Sequence, residues 1–382
     1  MEKSDKKANI EKKKRKKKRL TRAAVLSGVC LLLGIPPELM PLSTILIYEA
    51  IYGRRHKTKS WLEFSIKDFD GLKVARSDFY ENKKTRIAGY KYSKDDGKDK
   101  KGVVVVAHGL GHGGHNSYMP FIDYFASNGY YVYTYDTHGN DKSQGRTVKG
   151  LPQGVISLDG AIKHLKKVPE YKDLPVMLFG HSWGAYSVGN VLNLHPEVAG
   201  AVIVAGFNES EDLMLNYSGK VFGPFAEGLM TYVEAYERVK FGKKVTKIST
   251  IDGLKKTDAQ IMIVHSKDDK VVPTDYGYDK FYEEFKDNER FTFILYEDRG
   301  HNHPYYSKQA WEYQKNLNKS YHAYLKKYKK KNSKKARIDY MKNHLDKKKC
   351  YEPDGELMDK IIKMYDKGAQ IKKSNRAFEG YS

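Results

Sequence analysis

Three kinds of side chain in this sequence stand where they could carry out acyl transfer. Ser182 lies in Gly180-His181-Ser182-Trp183-Gly184. Residues 176–179 before it read as a buried strand, and from about Ala185 the chain reads as a helix. A Gly-x-Ser-x-Gly between strand and helix lifts the serine hydroxyl out on a sharp turn at the carboxyl edge of a sheet. The glycines have a steric role there, since side chains at Gly180 and Gly184 would collide with the neighbouring strand and helix. A serine hydroxyl is a poor nucleophile at neutral pH. It needs a base in contact and a third group to orient that base. Two later strand ends offer both. The apolar run 261–265 leads into Asp268-Asp269-Lys270-Val271-Val272-Pro273, and the run 291–296 leads into Gly300-His301. The chain order is Ser, Asp, His.

These groups converge only if their strands share one sheet. Val103-Val104-Val105-Val106-Ala107 is a continuous apolar run, the pattern of a strand covered on both faces. A helix fits residues 117–128, a strand 131–135, and a helix 154–168 with Val155, Ile156, Leu158, Ile162 and Leu165 inward. Strands follow at 176–179, 201–205, 261–265 and 291–296. Helices fit 276–285 and the chain from Tyr305 onward. This alternation predicts a doubly wound, mostly parallel sheet with helices on both faces. Residues 61–92 read as antiparallel strands, from Phe64, Ile66 and Phe69 and again from 86–92. Residues 207–257 break the rhythm with a long aromatic insertion.

The net charge of +22 sits at the two ends. Residues 1–22 hold twelve Lys/Arg against three Asp/Glu, and residues 319–382 hold nineteen against eight. The part between is nearly neutral, which argues against a nucleic-acid-binding core. Basic ends suit an anionic surface such as lipid headgroups. An apolar segment at 23–52 follows the basic tail, interrupted by Pro36-Pro37-Glu38. It predicts membrane association through a single N-terminal anchor, with a signal peptide and an interfacial hairpin as alternative geometries. The side of the membrane is left open. Cys30 and Cys350 form no readable disulfide framework or metal site. The Lys-rich extension from 319 has helical spacing in places, suiting surface helices or helices packed on the domain.

Together, His108-Gly109-Leu110-Gly111, Gly180-His181-Ser182-Trp183-Gly184, Asp269-Lys270-Val271-Val272-Pro273 and Gly300-His301 resemble the α/β-hydrolase superfamily. The monoglyceride-lipase and serine-aminopeptidase-like branch is the nearest in look. The stretch Asp136-Thr137-His138-Gly139-Asn140-Asp141-Lys142-Ser143-Gln144-Gly145 is similar to that branch's Asp-x-x-Gly-x-x-x-Ser-x-Gly loop. The resemblance spans about residues 85–315. It implies Ser182 as nucleophile, His301 as the base, and Asp269 as the group that orients the imidazole, with Asp268 its neighbouring rival. It also implies an oxyanion hole from the backbone N–H groups of Trp183 and Leu110. No cofactor or metal is expected. His108, His112, His115, His301 and His303 match no compact two-histidine ligand spacing.

The insertion at 207–257 would form a helical cap. Its apolar residues suit an acyl-chain pocket and predict a carboxylic ester with a hydrophobic acyl part, monoacylglycerol-like or lysophospholipid-like. An aminopeptidase is the rival, with Glu209, Glu211, Asp212, Glu227, Glu234 and Glu237 available to hold a substrate ammonium. Acyl transfer to an alcohol, and a non-catalytic membrane-tethered binding protein, are the remaining alternatives.

Overall fold

The computed structural model describes residues 37–379 except 96, 98, 112, 224–225 and 330. The basic tail at 1–22, the apolar run at 23–35, Cys30 and His112 lie outside the described residues. The strands are β1 (Leu72–Arg76), β2 (Phe79–Glu81), β3 (Thr85–Lys94), β4 (Val103–Ala107), β5 (Tyr131–Asp136), β6 (Val176–His181), β7 (Gly200–Val204), β8 (Gln260–Ser266) and β9 (Phe291–Tyr296). They form one sheet in the order β1-β3-β5-β4-β6-β7-β8-β9, with β2 also on β3. The pairs involving β1, β2 and β3 are antiparallel, and from β5 to β9 every pair is parallel. All five residues of β4 and all seven of β8 are buried, as strands covered on both faces must be.

The helices in chain order are α1 (Met40–Tyr52), α2 (Met119–Ser127), α3 (Pro152–Leu165), α4 (Trp183–Val191), α5 (Ser210–Phe222), α6 (Ala226–Phe241), α7 (Lys243–Thr246) and α8 (Thr250–Lys256). After them come α9 (Tyr278–Phe285), α10 (Lys308–Lys327), α11 (Lys334–His344), α12 (Lys347–Cys350) and α13 (Gly355–Glu379). Two apolar layers flank the sheet. One joins α3, α4 and the cap helices α5–α8, and the other joins α2 with α13. The last helix of the C-terminal extension, α13, is therefore part of the core, while Tyr321, Leu325, Tyr340 and Met341 form a smaller cluster of their own. Leu357, Met358, Ile361 and Tyr365 of α13 are buried against the sheet, and Tyr365 donates to the Leu178 carbonyl at 2.7 Å.

Residues 61–69 differ from the strand reading. They form turns with a short 3-10 helix, Ile66–Asp68. The Ser65 hydroxyl accepts from the Lys67 amide and the Asp68 carboxylate accepts from the Ser65 amide, so local capping outcompetes the weak alternation.

The apolar segment at 23–52 is corrected in its second half. Residues 40–52 form α1, which is only 13 residues long and lies on the cap. Among the described residues no helix is long and apolar enough to cross a membrane. Met40, Thr44, Tyr48 and Tyr52 recur at every fourth position and give α1 one buried face. Burying the two tyrosine rings contributes about 1.5–3 kcal/mol each.

The α1–cap contact centres on Glu237 of α6. Its carboxylate accepts from the Tyr48 hydroxyl and from the Ser210 hydroxyl, each at 2.7 Å. Burial pushes the Glu237 pKa up to about 7, against the two hydroxyls and the Lys240 charge, while Glu234 adds to the rise. The folded state thus holds a proton that the unfolded state releases above its ordinary value near 4.5. Stability is expected to fall as pH rises from about 4.5 to about 7, by about 3 kcal/mol, and to level off above. Glu237→Gln should flatten that slope in thermal melts. An unchanged slope would exclude Glu237 as its source.

Candidate active site

The carboxyl ends of β4, β6, β8 and β9 lie along one edge of the sheet, and each delivers one part of the site. Strand β6 runs between β4 and β7, and Ser182 follows its last residue. Ser182 has φ +56° and ψ −115°, a left-handed conformation that costs about 1–3 kcal/mol for a residue with a side chain. The glycines permit the turn. A Cβ on Gly180 would lie 2.4 Å from the Gly184 carbonyl oxygen, and one on Gly184 would lie 2.0 Å from that of Ala107. The start of α4 is thereby pressed against the end of β4.

His301, five residues after β9, places Nε2 2.8 Å from Ser182 Oγ. Its Nδ1 lies 2.7 Å from Asp269 Oδ2. The other Asp269 oxygen accepts from the amides of Val271 (2.8 Å) and Val272 (2.9 Å). Burial alone would raise the Asp269 pKa. Hydrogen bonds from His265, His301 and the Val272 amide outweigh burial and hold it well below the usual carboxylate range. A fixed buried carboxylate of this kind keeps Nδ1 protonated and leaves Nε2 free to accept from the serine. Asp268 points elsewhere, accepting from the Ser266 hydroxyl (2.6 Å) and the Gly300 amide (2.7 Å).

Leu110 follows β4 and Trp183 is the first residue of α4. Both line the cavity that also contains Ser182 and His301. An N–H at the first position of a helix has no partner within that helix. The Trp183 amide therefore stays available to an oxygen bound beside Ser182.

Two positioning residues escaped the sequence reading, His181 and Tyr118. The Gly109 amide donates to the Tyr118 hydroxyl at 2.9 Å, and that hydroxyl lies 3.0 Å from His181 Nδ1. With the hydroxyl donating to Nδ1, His181 Nε2 carries its proton and donates to the His301 carbonyl at 3.0 Å. One chain of bonds thus ties the Leu110 loop to the His301 loop. Its members sit on α2's approach, β6 and the loop after β9, so no local spacing announced them.

Of the other histidines considered as ligands, those among the described residues have structural partners. His108 Nε2 accepts from the Thr137 amide, His115 bonds Asp136 and Tyr92, and His303 lies 3.0 Å from Gln314. Among the described residues no three His, Cys, Asp or Glu side chains converge as metal ligands would.

The cavity over Ser182 has a volume of about 740 Å³. Its apolar wall comes from α1 (Ile47, Ile51) and the cap (Leu213, Met214, Leu229, Met230, Val233). Among the described residues no Asp or Glu lines it. The acidic residues of the cap are used elsewhere or face away: Glu237 meets Tyr48 and Ser210, and Asp212 meets Lys280 at 2.8 Å.

A profile of the serine aminopeptidase S33 family matches residues 98–249. An esterase of Pyrococcus furiosus superposes with a TM-score of 0.50 at 18% identity, covering 72% of this chain and 97% of that one. A second crystal form of it covers 98% of its own chain with the same score and identity. An acylaminoacyl peptidase of Pyrococcus horikoshii gives a TM-score of 0.45 at 16% identity, over 62% of this chain and 39% of that one. At 18% identity the likeness to the esterase speaks for the fold. No curated protein sequence is matched.

Proposed function

We propose that this chain is a serine hydrolase of the α/β-hydrolase superfamily, as its fold and the family profile over residues 98–249 support, and that it cleaves carboxylic esters with a hydrophobic acyl part. The substrates would be monoacylglycerol-like or lysophospholipid-like. The observation that carries this reading is the opening of the Ser182–His301–Asp269 chain into a cavity with an apolar wall of α1 and cap, which no carboxylate lines among the described residues. A volume of about 740 Å³ falls within the range of small-molecule pockets, roughly 300–1,000 Å³.

In the first half-reaction His301 Nε2 takes the Ser182 proton as Oγ attacks the ester carbonyl. The Trp183 and Leu110 N–H groups receive the oxyanion, each worth about 3 kcal/mol in the transition state. The imidazolium, stabilised by Asp269, gives its proton to the departing alcohol. Water then attacks the acyl carbon as His301 Nε2 takes its proton, and His301 returns that proton to Ser182 Oγ as the C–O bond to the serine breaks and the acid leaves. An aminopeptidase would instead need a carboxylate to hold the substrate ammonium, and none lines the cavity among the described residues. The test is a series of esters of rising acyl length set beside aminoacyl amides. Turnover should rise with chain length and be absent on the amides. Faster cleavage of aminoacyl amides would refute the ester reading.

Membrane association belongs to the same proposal, now through α1 lying in the lipid interface. Leu39, Leu42 and Leu46 turn outward with 50%, 55% and 61% of their surface exposed. They adjoin residues that line the cavity, and the sequence before α1 is basic and apolar. Such a helix would place the acyl wall at the lipid boundary. Leu42→Ser with Leu46→Ser should weaken co-sedimentation with anionic vesicles about tenfold or more. Undiminished co-sedimentation would exclude α1 as the docking face.

A further inference from the structure

The cavity has a second wall, opposite in character to the acyl wall. After α1 the chain turns at Gly53 and crosses residues 54–59 to the loops that follow β4 and β5. Arg54, His56 and Lys59 of this strap line the cavity that contains Ser182. The strap is fixed in place. The His56 amide donates to the Gly139 carbonyl at 3.1 Å, and the Asp141 amide donates back to the His56 carbonyl at 3.1 Å. Arg55 donates to the carbonyls of Gly145 (2.6 Å) and Ser143 (2.7 Å), and the Thr58 amide donates to Asp141 at 2.6 Å. Between these anchors Arg54 and Lys59 reach the cavity, with the Lys59 ammonium also 5.7 Å over the Trp61 ring beside it.

Among the described residues no carboxylate bonds the side chain of Arg54 or Lys59. The nearby acids are occupied: Asp141 by Thr58 and the Gly114 amide, Asp136 by His115 and the Lys142 amide. Arg337, close to Lys59, adds positive charge and helps to lower the lysine's pKa after burial has done so. A cluster of like charges facing a catalytic cavity is unfavourable unless an anion enters.

Resting on the ester-hydrolase reading above, we infer that Arg54 and Lys59, with His56, form an anion subsite for a phosphate carried by the alcohol part of the ester. The acyl chain has the apolar wall of α1 and cap, so a charged group must sit on the other branch of the scissile ester. A guanidinium and an ammonium together match a phosphate better than a neutral hydroxyl headgroup. The substrate class is thus an acyl glycerophosphate, in preference to a neutral acylglycerol.

The test compares an acyl glycerol and an acyl glycerol phosphate of equal chain length, with the full-length protein. The wild type should favour the phosphate ester in kcat/KM by about tenfold or more. Arg54→Gln with Lys59→Gln should bring that ratio close to one. Lys57→Gln, on the same strap but outside the cavity lining, should keep it. Equal rates for both esters in the wild type, or a ratio that survives the double substitution, would overturn the subsite and leave the ester reading intact. If neither ester is cut, the ester reading has failed. Binding to the Ser182→Ala protein then decides the subsite alone: tighter binding of the phosphate ester, lost in the Arg54/Lys59 variant, supports it, and equal binding overturns it. Inorganic phosphate separates the possible sources. Weak competition fits a headgroup subsite, whereas binding as tight as that of the acyl glycerol phosphate would make this a free-phosphate site.

Discussion

Ser182→Ala should lower ester turnover by about five to six orders of magnitude and abolish labelling by a fluorophosphonate. The magnitude follows from the role proposed for the hydroxyl. Without Oγ no acyl-enzyme forms, and His301 is left with nothing to activate but water, in a geometry set for the serine. What survives is the help that an oxyanion hole and substrate binding give to a direct attack, roughly a thousandfold over water. The fold should tolerate the change. Alanine carries the same Cβ through the turn at φ +56°, so the strain is unaltered and no buried apolar surface is lost. Melting temperature therefore serves as the control. A variant that melts like the wild type and still turns over at a tenth of its rate would exclude Ser182 as the nucleophile.

Asp269→Asn should cost about 10⁴-fold in kcat with little change in KM. The carboxylate holds His301 Nδ1 at 2.7 Å and is itself fixed by two backbone amides. An amide in its place can donate to Nδ1 and so favour the tautomer with its proton on Nε2, where the serine proton must go. It also offers no charge to the imidazolium. Asp268→Asn should cost no more than about tenfold, because Asp268 holds the Gly300 turn and does not touch the imidazole. The two substitutions measured together distinguish neighbours that differ by one position. Asp269 also has a stability signature. Its folded pKa is depressed, so the stabilisation is complete above its unfolded value near 4 and is lost as pH falls through the lower folded value. Asp269→Asn should remove that acid-side loss. If Asp268→Asn removed it instead, the orienting role would belong to Asp268.

The parts of the site that could be read from the chain are those encoded locally. Each strand is a short apolar run, and each candidate group lies within a few residues of one run's end. The sequence boundaries for β5, β6, β8 and β9 fall within two residues of the observed ones at each end. Gly180 and Gly184 were legible because the clash they avoid is with backbone a few residues away or on the adjoining strand. Residues 61–69 misled because an alternation of three apolar residues is weak beside a capping interaction three residues long. Residues 40–52 misled in a different way. Hydropathy reports that α1 is apolar, but not that one face of it is buried against α6.

By itself, then, the sequence determined which groups are available for the acyl transfer proposed above. A serine on a glycine-flanked turn, a later acidic pair and a later histidine, each at a strand end, are local facts. A parallel sheet brings such strand ends together whatever lies between them. Tertiary structure alone decided three further points. It aimed Asp269 and not Asp268 at His301, because consecutive side chains on one turn face different ways. It joined Tyr118, His181 and His301 across elements more than sixty residues apart, a contact that no period in the chain encodes. It also turned the cap's acidic residues away from the cavity and Arg54 and Lys59 toward it. Charge can be counted in a sequence, but which charges face a substrate depends on how helices and loops pack around the space it enters.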